Sequence, residues 1–231
     1  VKTITVGGAS MANGLSFSAE IRPRVESRLG FRVGGKVVER MVEIGAVVRK
    51  DQALMRLDPA DLQLAANASQ AQIASAKAND DVAQAALKRT AELVRQNFVS
   101  AAQLEQVEGQ AKAARAALQA AQANAAIGVN ATQYAVLRAD GNGVVTALEA
   151  EIGQVVAAGT PVARLAVGND KDVVFSVPEQ SLRLFKRGST LQVQLWAMPG
   201  VSLPAMVRDV SAAADPLTRT YTIKANLNDA K

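Results

Sequence analysis

Few residues in this chain could do chemistry. Glu43 and Glu151 are the carboxylates that first suggest acid/base work, because two carboxylates in unlike surroundings can serve as acid and base. They stand without company. The chain has no His and no Cys, which removes the commonest general base, the commonest transition-metal ligand, thiol nucleophiles and disulfides. Met11, Met41, Met55, Met198 and Met206 are dispersed, whereas a soft-metal site needs clustered thioethers or thiolates. Gly35, Gly45, Gly143 and Gly153 follow no phosphate-loop pattern that runs into a helix, so they read as turn glycines. The expectation is a protein with no catalytic residue, no cofactor and no metal site, and hence not an enzyme.

Glu43 and Glu151 share something else: they hold equivalent positions in an internal repeat. Laid without a gap, Leu29–Leu57 and Leu137–Leu165 are identical at ten positions: those of Leu29, Gly35, Val37, Glu43, Ile44, Gly45, Val47, Val48, Arg56 and Leu57. Chance gives about two. Two copies are too few for a solenoid, so they are expected to close on each other. Both "KVVERMVEIGAVV" and "VVTALEAEIGQVV" are Val-rich, with Gly45 and Gly153 at one turn and Asp51 and Gly159 at another. Neither half has enough apolar surface alone, and mutual packing into one small β-sandwich follows.

Between the copies the composition changes. From Ala60 to Ile127 the chain holds 24 Ala and frequent Gln, with no Pro before Pro161. Leu62, Ala66, Ser69, Ile73, Ala76, Asp80, Ala83, Leu87, Thr90 and Val94 step alternately by four and three, the seam of a coiled coil. Leu104, Val107, Ala111, Ala114, Leu118, Ala121 and Ala125 continue the alternation. "RQNFVS" (95–100) breaks the pattern, with Ser100 as cap of a second helix, while Asp58 and Pro59 begin the first. Two helices of roughly 37 and 34 residues, the second running to about Gln133, make a rod of about 50–55 Å.

Beyond Val167, "KDVVFSV", "STLQVQLW", "LPAMVRDV" and "RTYTIKANL" alternate as strands, and "PEQSLRLFK" between Pro178 and Gly188 reads as a short helical turn. "SFSAEIRPRVE" adds one or two strands from the other end of the chain, giving a small antiparallel barrel. The aromatic content of 3% suits an elongated molecule rather than one thick core. The net charge of +5 is scattered, without the concentrated basic face and stacking aromatics of a nucleic-acid binder. No run of 18 apolar residues could span a bilayer. Opening on Val1 and ending on Lys231, the chain is expected to be a segment of a longer protein whose signal peptide or membrane anchor lies in a missing N-terminal part.

"GGKVVERMVEIGAVVRKDQALMRLDP", the Ala/Gln-rich hairpin and "LRADGNGVVTALEAEIGQVVAAGTPVARLA" together resemble the periplasmic adaptor, or membrane fusion, proteins of resistance-nodulation-division (RND) efflux pumps. The likeness covers nearly the whole chain, and "DPLTRTYTI" (215–223) resembles a turn and strand of the family's barrel. The resemblance implies an elongated α+β fold, with a long antiparallel coiled-coil hairpin inserted into a split lipoyl-like β-sandwich, plus a small antiparallel β-barrel. The divisions are 1–28 and 167–231 for the barrel, with 1–11 also assignable to an incomplete membrane-proximal domain. They are 29–58 and 136–166 for the lipoyl-like halves, and 59–135 for the hairpin.

The resemblance also implies a role for the tip. Adaptors that dock an outer-membrane channel carry an Arg, a Leu four residues on, a Ser seven later and an Asp five further. Arg89, Leu93 and Ser100 keep those spacings, and Glu105 departs from the fourth. The residues alone read equally as helix surface, seam neighbour and cap. The implied protein is a Gram-negative periplasmic adaptor attached to the inner membrane. Its partners would be an inner-membrane RND transporter, an outer-membrane channel and further copies of itself, in a hexameric ring. Two alternatives stand beside it: an adaptor of an ABC-type or type I secretion system, and a biotinyl or lipoyl carrier, for which no Lys stands at Asp58–Pro59.

Overall fold

The computed structural model describes residues 3–7, 15–196, 198 and 201–227; Met11 lies outside them. In chain order the elements are β1 (Thr3–Gly7), β2 (Ser16–Gly30), β3 (Gly35–Arg40), β4 (Val47–Val48), β5 (Ala53–Leu57), α1 (Ala60–Arg95), α2 (Ala101–Gln133), β6 (Val136–Arg138), β7 (Gly143–Leu148), β8 (Val155–Val156), β9 (Pro161–Pro178), α3 (Glu179–Leu182), β10 (Thr190–Leu195), β11 (Ser202–Val210) and β12 (Thr220–Leu227). The fold is mixed α/β, with two long helices between two groups of strands.

The two repeats build one sandwich by exchanging strands. Two-residue β4 pairs with β7 of the other copy (Val47↔Val144, Val48↔Gly143), and β8 pairs reciprocally with β3 (Lys36↔Val155, Gly35↔Val156). The backbone bonds obey the same exchange. Gly45 N–H donates to Val145 O at 2.8 Å and Gly153 N–H to Val37 O at 2.7 Å; Asp51 N–H donates to Ala139 O and Gly159 N–H to Phe31 O, both at 2.8 Å. Such reciprocity means a pseudo-two-fold axis: each copy completes the ladder of the other, and neither is complete alone. Part of the repeat's apolar identities lies in the shared core, where Val37, Val48, Leu57, Leu137, Val145 and Leu165 are buried.

The second body is a closed ring. β12 pairs with both β11 and β9, so the antiparallel order β9–β2–β1–β10–β11–β12 returns to β9 and leaves no edge in the ring. Its core holds Val173, Phe175, Val177, Leu191, Val193, Val207 and Ile223, with Phe17, Phe175 and Phe185 in mutual ring contact at 5.3–6.3 Å. Residues 3–7, which the sequence also allowed to a separate membrane-proximal part, are a strand of this ring, paired to β2 and β10.

Two sequence expectations are refined here. The strand expected at 171–177 reaches back to Pro161 as one strand, β9, and the one or two strands expected from 16–26 are a single 15-residue strand, β2. Both run through the sandwich and the ring. "PEQSLRLFK" forms only the four-residue α3, followed by turns.

Candidate functional site at the hairpin tip

α1 and α2 pack against each other along their length. Every seam position expected from the heptad alternation is half-buried or buried, and the residues between them are mostly exposed. Asp58 Oδ1 accepts the Ala60 N–H at 3.0 Å, and Pro59 already has helical dihedrals (φ −86°, ψ −3°), so the helix is capped as it leaves the sandwich. At about 1.5 Å per residue the 36 residues of α1 carry its far end about 54 Å from that base.

The turn at the far end is built by the backbone. Phe98 N–H donates to Leu93 O and Asn97 N–H to Val94 O, both at 2.9 Å, with Asn97 left-handed at φ 59°. This is a Schellman stop, for which Asn is one of the few side chains that tolerate the left-handed conformation. Ser100, extended at φ −79° and ψ 158°, then accepts the Gln103 N–H through Oγ and starts α2.

The expected docking residues gather here. Arg89 and Leu93 lie one turn apart on the last two turns of α1, and Ser100 and Glu105 lie at the start of α2. All four are exposed, and Arg89 has no ion-pair partner among the described residues. Arg95, by contrast, is held by Glu92 at 3.3 Å. One residue belongs with them that the motif spacing does not name: Phe98, 72% exposed, is the apolar point of the tip. Its signal in the sequence was an aromatic residue at a helix break in a chain with only five Phe.

The glycines fall into two kinds. Gly45 (φ 88°) and Gly153 (φ 93°) sit in the equivalent turns, where a left-handed backbone favours Gly. Gly35 and Gly143 are not turn residues; they open β3 and β7. At Gly143 a Cβ would meet Ala166 O at 2.0 Å, so close strand approach is what requires Gly there. Glu43 and Glu151 both reach the guanidinium of Arg40, at 3.1 and 3.3 Å, and are largely exposed. They form a surface ion-pair triad astride the two copies, in which neither carboxylate is set apart as acid or base.

Among the described residues no group of three or more Asp, Glu, His or Cys is placed to hold a metal, and no helix is long and apolar enough to cross a membrane. At the sandwich exit Asp58 and Pro59 lead directly into α1, so no Lys is presented where a carrier domain would bear its cofactor. On the ring, Asp215 Oδ1 accepts the N–H groups of Leu217 and Thr218, at 2.9 and 3.0 Å, and the Thr218 hydroxyl at 3.1 Å. These bonds, the Thr218 N–H foremost, hold its carboxyl below the usual carboxylate range.

Comparison with known proteins agrees with this arrangement from both ends. Residues 173–231 match the family model described as "CusB-like, beta-barrel domain". The nodulation protein NolF of Rhizobium meliloti (strain 1021) is 26% identical over 92% of this chain and 58% of its own length. The multidrug resistance protein MdtA of Klebsiella pneumoniae is 26% identical over 86% of the chain and 51% of its own. The chain therefore spans only between half and three fifths of these relatives. Among solved structures, the membrane fusion protein Spr0693 of Streptococcus pneumoniae R6 shares the fold, with a TM-score of 0.73 at 15% identity, over 92% of this chain and 90% of that one. The chain is thus similar to NolF and MdtA along most of its sequence, its C-terminal strands match the CusB-like barrel model, and it shares its fold with a solved membrane fusion protein.

Proposed function

We propose that this chain is the adaptor subunit of a tripartite efflux pump in a Gram-negative envelope, linking an inner-membrane RND transporter to an outer-membrane channel for export of small molecules. The observation that carries this reading is the hairpin tip. A stiff helical pair holds an exposed Phe98, an unpaired Arg89 and the exposed Leu93, Ser100 and Glu105 about 54 Å from the sandwich. Ser100 caps α2, but the exposed Phe98 and Arg89 have no such structural task, and they offer an apolar point and a planar guanidinium fork to the carbonyls and carboxylates of another chain. In this reading the sandwich is a split lipoyl-like domain (29–58 and 136–166) and the hairpin (59–135) is an inserted coiled coil. The ring of strands (1–28 and 167–231) is the barrel, facing the transporter.

Neighbouring copies pack laterally into a hexameric ring, aided by Ala on the helix faces outside the seam. The adaptor sits in the periplasm, and a segment beyond the present chain attaches it to the inner membrane.

The test is site-specific photocrosslinking in intact cells from a reactive residue at Gln96, the C-cap of α1. The expected product is a covalent complex with an outer-membrane channel protein. Self-crosslinks alone would remove the docking role from the tip.

A further inference from the structure

The two cores of this molecule share no residue, and β2 and β9 are the strands that contribute to both. Where they pass from one body to the other their pairing breaks register. Pro23 faces Lys171 and Val25 faces Val167, so the single residue Arg24 stands opposite the three residues Gly168, Asn169 and Asp170. This bulge begins at Gly168, left-handed at φ 77°, and residues 168–171 are exposed. The β2–β9 pairing skips these three residues, although Gly168 N–H still donates to Asn142 O at 2.9 Å, and an exposed bulge of this kind between two cores is a soft joint.

Arg24 occupies that joint with donors aimed three ways. Its Nη1 donates to Asp170 at 2.6 Å, inside the bulge, and its Nε to Asp172 at 3.3 Å, where the ring begins. Its Nη2 donates to Asn226 on β12 at 2.5 Å. Asp172 is the one buried charged residue among those described, 3% exposed, and its other oxygen accepts from Arg208 on β11 at 2.7 Å. The guanidinium thus supplies, opposite the bulge, a planar fork joining β2, the bulge and β12, the neighbour of β9 in the ring. A buried carboxylate shared by two cations is costly to uncover, so the arrangement favours one angle.

We infer that the β2–β9 crossing is a hinge between the ring and the sandwich with its hairpin, and that Arg24 is the clamp that sets its angle. The lever is long. A rotation of about 10° at the crossing moves a point about 54 Å away by roughly 9 Å, so a small opening of the clamp displaces the hairpin tip by more than the width of a side chain. The inference concerns this chain alone and stands whether or not the tip meets a channel.

The absence of Cys makes the experiment direct. Spin labels at Ala157→Cys in the sandwich and Lys224→Cys in the ring, both exposed positions, report the angle as a distance distribution by pulsed electron resonance. Arg24→Ala should widen the distribution roughly twofold as the joint samples more angles. Asp170→Asn should widen it less, because Asp172 and Asn226 still hold the fork. Arg22→Ala, whose one ion pair among the described residues is with Glu20 on the same strand, should leave it unchanged. If Arg24→Ala unfolds the ring, the exposed Asp170 makes its Asn variant decisive by itself. Equal widths for the wild type and every folded variant would overturn the clamp.

Discussion

The sandwich and the hairpin solve the same problem, burying apolar surface, in opposite ways. The sandwich buries large aliphatics completely: Leu54, Met55, Leu57 and Leu165 have no exposed surface. Along α1 no residue is fully buried, and α2 buries only Ala111, Ala121 and Ala125. One body is held by a few deep contacts. The other is held by many shallow ones, added to the helix propensity of Ala and Gln. A two-helix rod has no interior, so its stability is spread thinly and nearly all of its surface remains available for contact.

Substitutions in the two bodies test that contrast. Leu57→Ala leaves a cavity in the sandwich core and should cost about 3 kcal/mol in chemical denaturation. A loss below about 1 kcal/mol would mean the core collapses to fill the space and is not deep in the sense argued here. Leu118→Asp places a charge on the half-buried seam and should cost about 2 kcal/mol, with a visible fall in helical circular dichroism while the β signal stays. Unchanged helicity would count against the seam register. Ser100→Ala removes the side-chain acceptor for the Gln103 N–H and should cost about 1 kcal/mol. Its mark is faster amide exchange confined to the first turn of α2. Arg89→Asp, at an exposed position without an ion pair, should change stability by no more than about 0.5 kcal/mol while efflux in cells falls. Parallel loss of melting temperature and efflux would make Arg89 a structural residue.

Not every identity between the repeats reports burial. Leu29, Val37, Val48 and Leu57 match buried partners in the second copy, but Ile44 and Ile152 are 63% and 58% exposed, and Val47 and Val155 are 78% and 74% exposed. The alignment finds them equally well. A gapless match shows that two segments adopt the same local path, and only the assembled sandwich shows which side of that path faces inward. The tip was similarly half-readable. Its helix stop and cap follow from Asn97 and Ser100, whereas the prominence of Phe98 depends on how the two helices end together.

The features legible in the residues alone were periodic and local. The seam of the hairpin, its caps at Asp58 and Ser100, the left-handed turns at Gly45 and Gly153 and the correspondence of the two repeats all rest on residues within a few positions of one another, or on a repeat. The non-local features required the folded chain. Exchange of β4 and β8 between the copies, closure of the ring through β12 and β9, and continuity of β2 and β9 across both bodies depend on pairings between residues far apart in the chain. Gly168-Asn169-Asp170 shows why: the same three residues would serve equally well in a turn between two strands, and it is their partner Arg24, 146 residues from Asp170, that makes them a bulge within one.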